Sequence, residues 1–147
     1  ATAVENGYAN LTKMQAVAAL RDSLRDRILA AIPHSTLNGP RDGAYRLPGN
    51  LNIGFEYIEG ELILLYLNDV GIYASSGSAC TSGSLDPSHV LRAQKVPFTT
   101  LHGSIRFSLS RFTTDEEVDY ALYHIPKIIE KLVEISPFQK ELKALGY

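Results

Sequence analysis

Apolar side chains at Leu11, Met14, Val17, Leu20, Leu24, Ile28 and Ile32 step by threes and fours and stop at Pro33. At 3.6 residues per turn such positions share one stripe, so the spacing predicts an amphipathic helix over residues 11–32. A stripe that long needs a surface to cover it. The rest of the chain supplies the other period. Leu51-Asn52-Ile53-Gly54-Phe55 and the run Ser104–Ser110 alternate apolar with polar or small residues, the two-residue repeat of a half-buried strand. In the second run Ile105, Phe107 and Leu109 face one way, and Ser104, Arg106 and Ser108 face the other. A small sheet with helices packed on it follows.

Shorter signals fill the gaps. Residues 34–50, rich in Gly, Pro, Asn and Arg, read as irregular loop with one short strand. Glu61–Asp69 has a helical composition and closes at Gly71, a left-handed cap. Ile72-Tyr73-Ala74 reads as a short strand feeding a Ser/Gly loop. Asp86-Pro87 reads as the start of a short helix through Arg92, and residues 95–103 as loop. Thr114-Asp115-Glu116-Glu117 is a capping box ahead of Val118, Leu122, Ile125, Ile129, Leu132 and Val133. Pro126 should kink or split that helix, since it removes a backbone donor. The last ten residues read as a short helix or an arm. Arg21, Asp22, Arg25, Asp26 and Arg27 lie largely off the first stripe and read as a solvated face.

A chain of 147 residues can bury one sizeable core. Its net charge of −2 provides no broad basic field for nucleic acid and no attraction to a membrane surface. The longest apolar stretch, Leu62–Leu67, is far too short to span a bilayer. A single cysteine excludes an intrachain disulfide and favours a reducing, cytoplasmic setting. His34, His89, His102 and His124 show no ligand spacing with it, so no metal site is expected.

That cysteine, Cys80, lies in Ser75-Ser76-Gly77-Ser78-Ala79-Cys80-Thr81-Ser82-Gly83-Ser84, where nothing is bulky, charged or strongly apolar. A structural cysteine is usually a small hydrophobe in a core. A lone thiol on a small polar loop is instead a candidate nucleophile or sulfur carrier, against the plainer reading of an incidental thiol in a linker. No Lys, Arg or His stands within eight residues of it, so activation to the thiolate must come from groups brought in by folding or by a partner. Arg106 is the second candidate. A guanidinium on the polar side of a strand can hold a carboxylate in bidentate fashion, or form an ordinary salt bridge. Arg111 reads as surface. Each histidine fits a surface or loop role, with His102 the best placed, and a Cys–His pair stays open because such partners need not be neighbours.

The segment Ser75–Arg92 closely resembles the active-site loop of cysteine desulfurases of the NifS/IscS group, in the class-V aminotransferase superfamily. The likeness continues through Leu47-Pro48-Gly49-Asn50-Leu51-Asn52, Ile58-Glu59-Gly60-Glu61, Ser104-Ile105-Arg106-Phe107-Ser108-Leu109 and Arg111-Phe112-Thr113-Thr114-Asp115-Glu116-Glu117, in order, over essentially the whole chain. The resemblance implies an α/β (α+β) fold with a small, mostly antiparallel sheet packed by helices, the C-terminal domain of a fold-type I pyridoxal-phosphate enzyme. Residues 1–33 would be the long interdomain helix, and 34–147 the small C-terminal domain with a mobile active-site loop at 75–86.

The implied reaction converts L-cysteine to L-alanine. Cys80 takes the sulfur as a persulfide, and Arg106 holds the substrate's α-carboxylate. Iron–sulfur scaffold or sulfur-carrier proteins would receive the sulfur, and the full enzyme would be a homodimer. Pyridoxal phosphate is the electron sink in that chemistry. Its Schiff-base lysine follows a histidine in the family, whereas none of Lys13, Lys95, Lys127, Lys131, Lys140 and Lys143 does. The large cofactor domain is therefore expected to lie outside this chain, which should not turn over alone. The alternative is a stand-alone persulfide carrier or scaffold-binding module without catalysis.

Overall fold

The two alternating segments pair with each other. The computed structural model describes residues 5, 7, 10–76 and 88–146. Among them β1 (Ser35–Leu37), β2 (Asn50–Phe55), β3 (Ser75–Ser76) and β4 (Ser104–Ser108) form one antiparallel sheet in the order β1-β2-β4-β3. Ile53 lies opposite Ile105, and Asn52 opposite Arg106, so alternation divides the sheet into an apolar and a polar face. Ser75 flanks Arg106 from the other side.

Three helices cover the apolar face: α1 (Lys13–Ala31), α2 (Gly60–Asp69) and α5 (Asp115–Ile135). Leu24, Ile28, Ile63, Leu67, Ile125, Ile129 and Leu132 share one core with Leu51, Ile53, Phe55, Ile105 and Phe107. Each such side chain contributes roughly 1.5–3 kcal/mol on burial, so this face carries the stability. The expected fold class, an antiparallel sheet packed by helices, is what forms. The polar face is only partly covered. Two short helices, α3 (His89–Ala93) and α4 (Phe98–Leu101), lie in the stretch before β4, and α6 (Gln139–Leu145) closes at left-handed Gly146. At Gly54 an added Cβ would come within 3.1 Å of the Thr100 Cβ, so glycine lets α4 close over that end of the polar face. Gly103 serves the entry to β4, since a Cβ there would sit 2.1 Å from the Phe55 carbonyl oxygen.

Several expectations need correcting. Ile72-Tyr73-Ala74 is not a strand; the pairing with β4 falls on Ser75 and Ser76, where the neighbour's backbone groups are available. Residues 95–103 contain the one-turn helix α4 rather than loop alone. Pro126 does not split α5, which runs unbroken from Asp115 to Ile135. One missing donor is outweighed by Ile125, Ile128 and Ile129, buried on both sides of it. The charged residues of α1 are not a solvated face: Arg21 is 1% exposed and Arg25 7%. Leu11, by contrast, is exposed although it belongs to the stripe. The capping box is present with both its hydrogen bonds, Glu117 N–H to Thr114 Oγ1 at 3.2 Å and Thr114 N–H to Glu117 Oε2 at 3.1 Å.

Candidate functional site

Arg106 projects from the polar face of β4, exposed, between Asn52 on β2 and Ser75 on β3. Apolar Ile105 and Phe107 on either side lock into the core and fix its direction. Among the described residues its guanidinium makes no hydrogen bond or ion pair. The salt-bridge reading that the sequence left open therefore has no partner there. A cleft of about 340 Å³ opens beside it, and Asn38, Arg46, Asn52, Ser76, Gln94 and Arg106 contribute to its lining.

Arg46 is a wall of this cleft rather than a free cation. It donates to the carbonyls of Asn38 (2.7 Å), Pro40 (2.9 Å) and Asn50 (3.4 Å), tying the loop before β2 into shape. Burial, followed by the charges of Arg21 and Arg25, holds its pKa below the ordinary arginine value. Behind it Arg21 donates to the Leu47 carbonyl at 3.1 Å and to Asp22, while Arg25 donates to Asp22 and Asp26. The cleft floor is thus cationic, with one guanidinium spent on structure and one presented to solvent. A bidentate guanidinium on a rigid strand suits a carboxylate.

A buried polar chain supports the cleft from below. Asn38 donates from Nδ2 to Asn52 Oδ1 at 2.7 Å and to Ser104 Oγ at 3.0 Å, and Ser104 Oγ donates to the Thr100 carbonyl at 2.8 Å. Arg46, Asn52 and Asn38 were not singled out from sequence as functional. The alternation Asn50-Leu51-Asn52-Ile53 was the available signal, because it puts Asn52 on the same face as Arg106.

Cys80 lies outside the described residues. Ser76 and Ser88, the described residues on either side of its segment, both line the cleft. Ser76 is pinned by its hydroxyl, which donates to Glu61 Oε1 at 2.9 Å. None of the four histidines lines the cleft. His102 sits edge-on to Phe98 at 5.0 Å, His124 packs tilted against Tyr120 and edge-on to Tyr123, His89 is exposed on α3, and His34 contacts the Leu145 carbonyl. Arg111 is exposed over the Phe112 ring, as a surface residue.

No lysine lines the cleft either. Lys127 and Lys131 sit on the rings of Tyr123 and Tyr66. The described cleft therefore presents a guanidinium that can take a carboxylate and lacks the amine that an aldehyde cofactor needs for an imine. Among the described residues no group of three or more His, Cys, Asp or Glu could hold a metal ion, and no helix is long and apolar enough to cross a membrane.

An antiparallel sheet backed by helices, with a solvent-facing arginine beside an open cleft, agrees with the family comparison. The family described as Aminotransferase class-V matches residues 6–121, and the chain belongs to that family. Among curated proteins it is 58% identical over 122 residues to cysteine desulfurase NifS of Azotobacter vinelandii, covering 83% of this chain and 30% of that one. It is also 50% identical over 141 residues to a cysteine desulfurase of Enterobacter agglomerans, covering 96% and 35%. The chain thus spans about a third of the length of these relatives. A solved structure titled NifS-like protein superposes with a TM-score of 0.75 at 29% identity, over 89% of this chain and 32% of the other. An aminotransferase from Streptoalloteichus hindustanus shares the fold alone, with a TM-score of 0.54 at 10% identity over 84% and 32%. The resemblance read from the motifs is borne out.

Proposed function

We propose that this chain is the C-terminal part of a cysteine desulfurase, with residues 1–33 as the interdomain helix and 34–147 as the small domain. In the whole protein Arg106 holds the α-carboxylate of L-cysteine, and Cys80 accepts the sulfur. The balance is L-cysteine plus the Cys80 thiol giving L-alanine plus the Cys80 persulfide. The observation that carries this reading is the Arg106 guanidinium, unpaired among the described residues and fixed on a strand beside the cleft that Ser76 and Ser88, on either side of the segment bearing Cys80, also line. Pyridoxal phosphate belongs to the part of the protein beyond this chain, because no lysine lines the cleft. The whole protein is read as a cytoplasmic homodimer that passes sulfur to an iron–sulfur scaffold or a sulfur-carrier protein.

The test is made in the full-length enzyme. Cys80→Ala abolishes the protein persulfide while leaving the fold intact. Arg106→Ala raises KM for L-cysteine by roughly a hundredfold, the size associated with stripping one partner from a hydrogen-bonded charge pair. An unchanged KM would sink the Arg106 assignment, and a persulfide that survives Cys80→Ala would sink the other.

A further inference from the structure

The polar chain beneath the cleft has a direction. The Thr100 carbonyl can only accept, so the Ser104 hydroxyl 2.8 Å away must spend its one proton there. Ser104 Oγ then has only lone pairs left for Asn38, which must turn its NH2 group toward it at 3.0 Å. The same nitrogen lies 2.7 Å from the side chain of Asn52, which must answer with its carbonyl oxygen. Reversing either amide would set two acceptors or two donors against each other. In this sealed place, with Ser104 0%, Thr100 2% and Asn38 6% exposed, no water relieves that clash. Amide orientation is ordinarily ambiguous, but here an acceptor-only carbonyl at the far end settles it. Asn52 therefore turns its NH2 away from Asn38, on the half-buried cleft side, directly across the ladder from Arg106. Side chains so paired stand about 5 Å apart at Cβ, close enough to share one ligand.

We propose that Asn52 is a second carboxylate-binding residue, donating from Nδ2 to the oxygen atoms that Arg106 engages, and that Asn38 and Ser104 are positioning residues that fix its amide. This rests on the reading of Arg106 as the carboxylate holder and adds to it a donor with a defined polarity. The device also sets specificity. A guanidinium and an amide NH2 side by side favour a carboxylate over a carboxamide, which brings a donor of its own.

The experiment measures KM and kcat of the full-length enzyme for L-cysteine and for L-cysteinamide. Asn52→Ala raises KM for L-cysteine about tenfold, as expected for losing a hydrogen bond to a charged group, with a smaller fall in kcat. Asn52→Asp keeps the oxygen that Asn38 needs but turns the cleft donor into an acceptor. It raises KM for L-cysteine further and shifts the kcat/KM ratio toward L-cysteinamide. Ser104→Ala, which touches no substrate, moves the same ratio in the same direction by a smaller factor, whereas a purely structural role would leave it alone. If Arg106→Ala raises KM and the Asn52 variants change neither KM nor the ratio, this inference is overturned and the Arg106 reading stands. If Arg106→Ala also leaves KM unchanged, the Arg106 reading fails as well. For variants that do not fold, the wild-type enzyme bound to L-alanine decides. Asn52 Nδ2 should lie about 3 Å from a carboxylate oxygen, and an amide turned the other way would overturn the proposal.

Discussion

Arg21 and Arg25 lie one helical turn apart on α1, and both are nearly sealed from solvent. Arg21 donates to Asp22 and to the Leu47 carbonyl, joining the helix to the loop that precedes β2. Removing it takes away a fully buried side chain and its hydrogen bond to the Leu47 carbonyl, leaving a void, while Asp22 keeps Arg25 as its partner. Arg21→Ala should therefore lower unfolding stability by about 3 kcal/mol in urea titrations. The exposed pair Arg27–Asp119 serves as a control, with Arg27→Ala costing less than about 1 kcal/mol. Asp26 carries the pH signature of the same cluster. Hydrogen bonds from Arg25 hold its pKa below the ordinary 3.8, against burial and with help from the charges of Arg25 and Arg41. A depressed folded pKa means that the stabilisation is fully present above the unfolded value and is lost as pH falls through the folded one. Asp26→Asn should be less stable than wild type at about pH 6, with the two stability curves converging as pH falls through the depressed folded pKa. Parallel curves would refute it. At this scale Arg106 was legible because a charge between apolar strand residues has only one face to occupy. Arg21 was not, although steps through Val17, Arg21, Leu24 and Ile28 place it on the buried stripe. Charge alone argues for solvent until the acceptor on a distant loop is seen.

Elements whose ends carry their own chemistry could be read directly. Thr114 and Glu117 satisfy each other's backbone donors at the start of α5, and three acidic residues occupy its first turn, where the helix dipole favours them. Thr114→Ala should lower stability by about 1 kcal/mol in chemical denaturation, and Thr114→Ser should recover most of that loss. Thr114→Ala as stable as wild type would mean that tertiary packing alone holds that end. What sequence could not supply were elements created by neighbours. β3 is two residues long and exists because β4 offers an edge. Helix α4 is a single turn, held where Thr99 Oγ1 donates to Glu56 and the Tyr57 N–H donates to the Thr99 carbonyl. Pro126 misled for the matching reason: one lost hydrogen bond is a local cost, whereas the isoleucines around it are paid attention only when the core is assembled.

At the scale of the molecule, the apolar face and the polar face have different degrees of closure. The apolar face is finished, because α1, α2 and α5 seal a continuous core over the sheet. The polar face ends in an open cleft with an arginine unpaired among the described residues and no lysine in its walls. Motif order along the chain made the family legible, whereas the open cleft and its arginine emerge only once the sheet is assembled. The chain spans about a third of its relatives, and its sheet and helices share one buried core. Expressed alone, it should unfold in one cooperative transition by circular dichroism and chemical denaturation. Mixed with pyridoxal phosphate, it should develop no visible imine absorbance beyond that of a peptide carrying surface lysines, and it should release no alanine from L-cysteine. Addition of the separately expressed remainder of a full-length enzyme should restore alanine formation, and Arg106→Ala in this chain should raise the L-cysteine concentration that it needs. Stoichiometric imine formation by the chain alone would overturn this division of labour. Failure of the two folded parts to restore any turnover would favour a carrier that receives sulfur without taking part in its release.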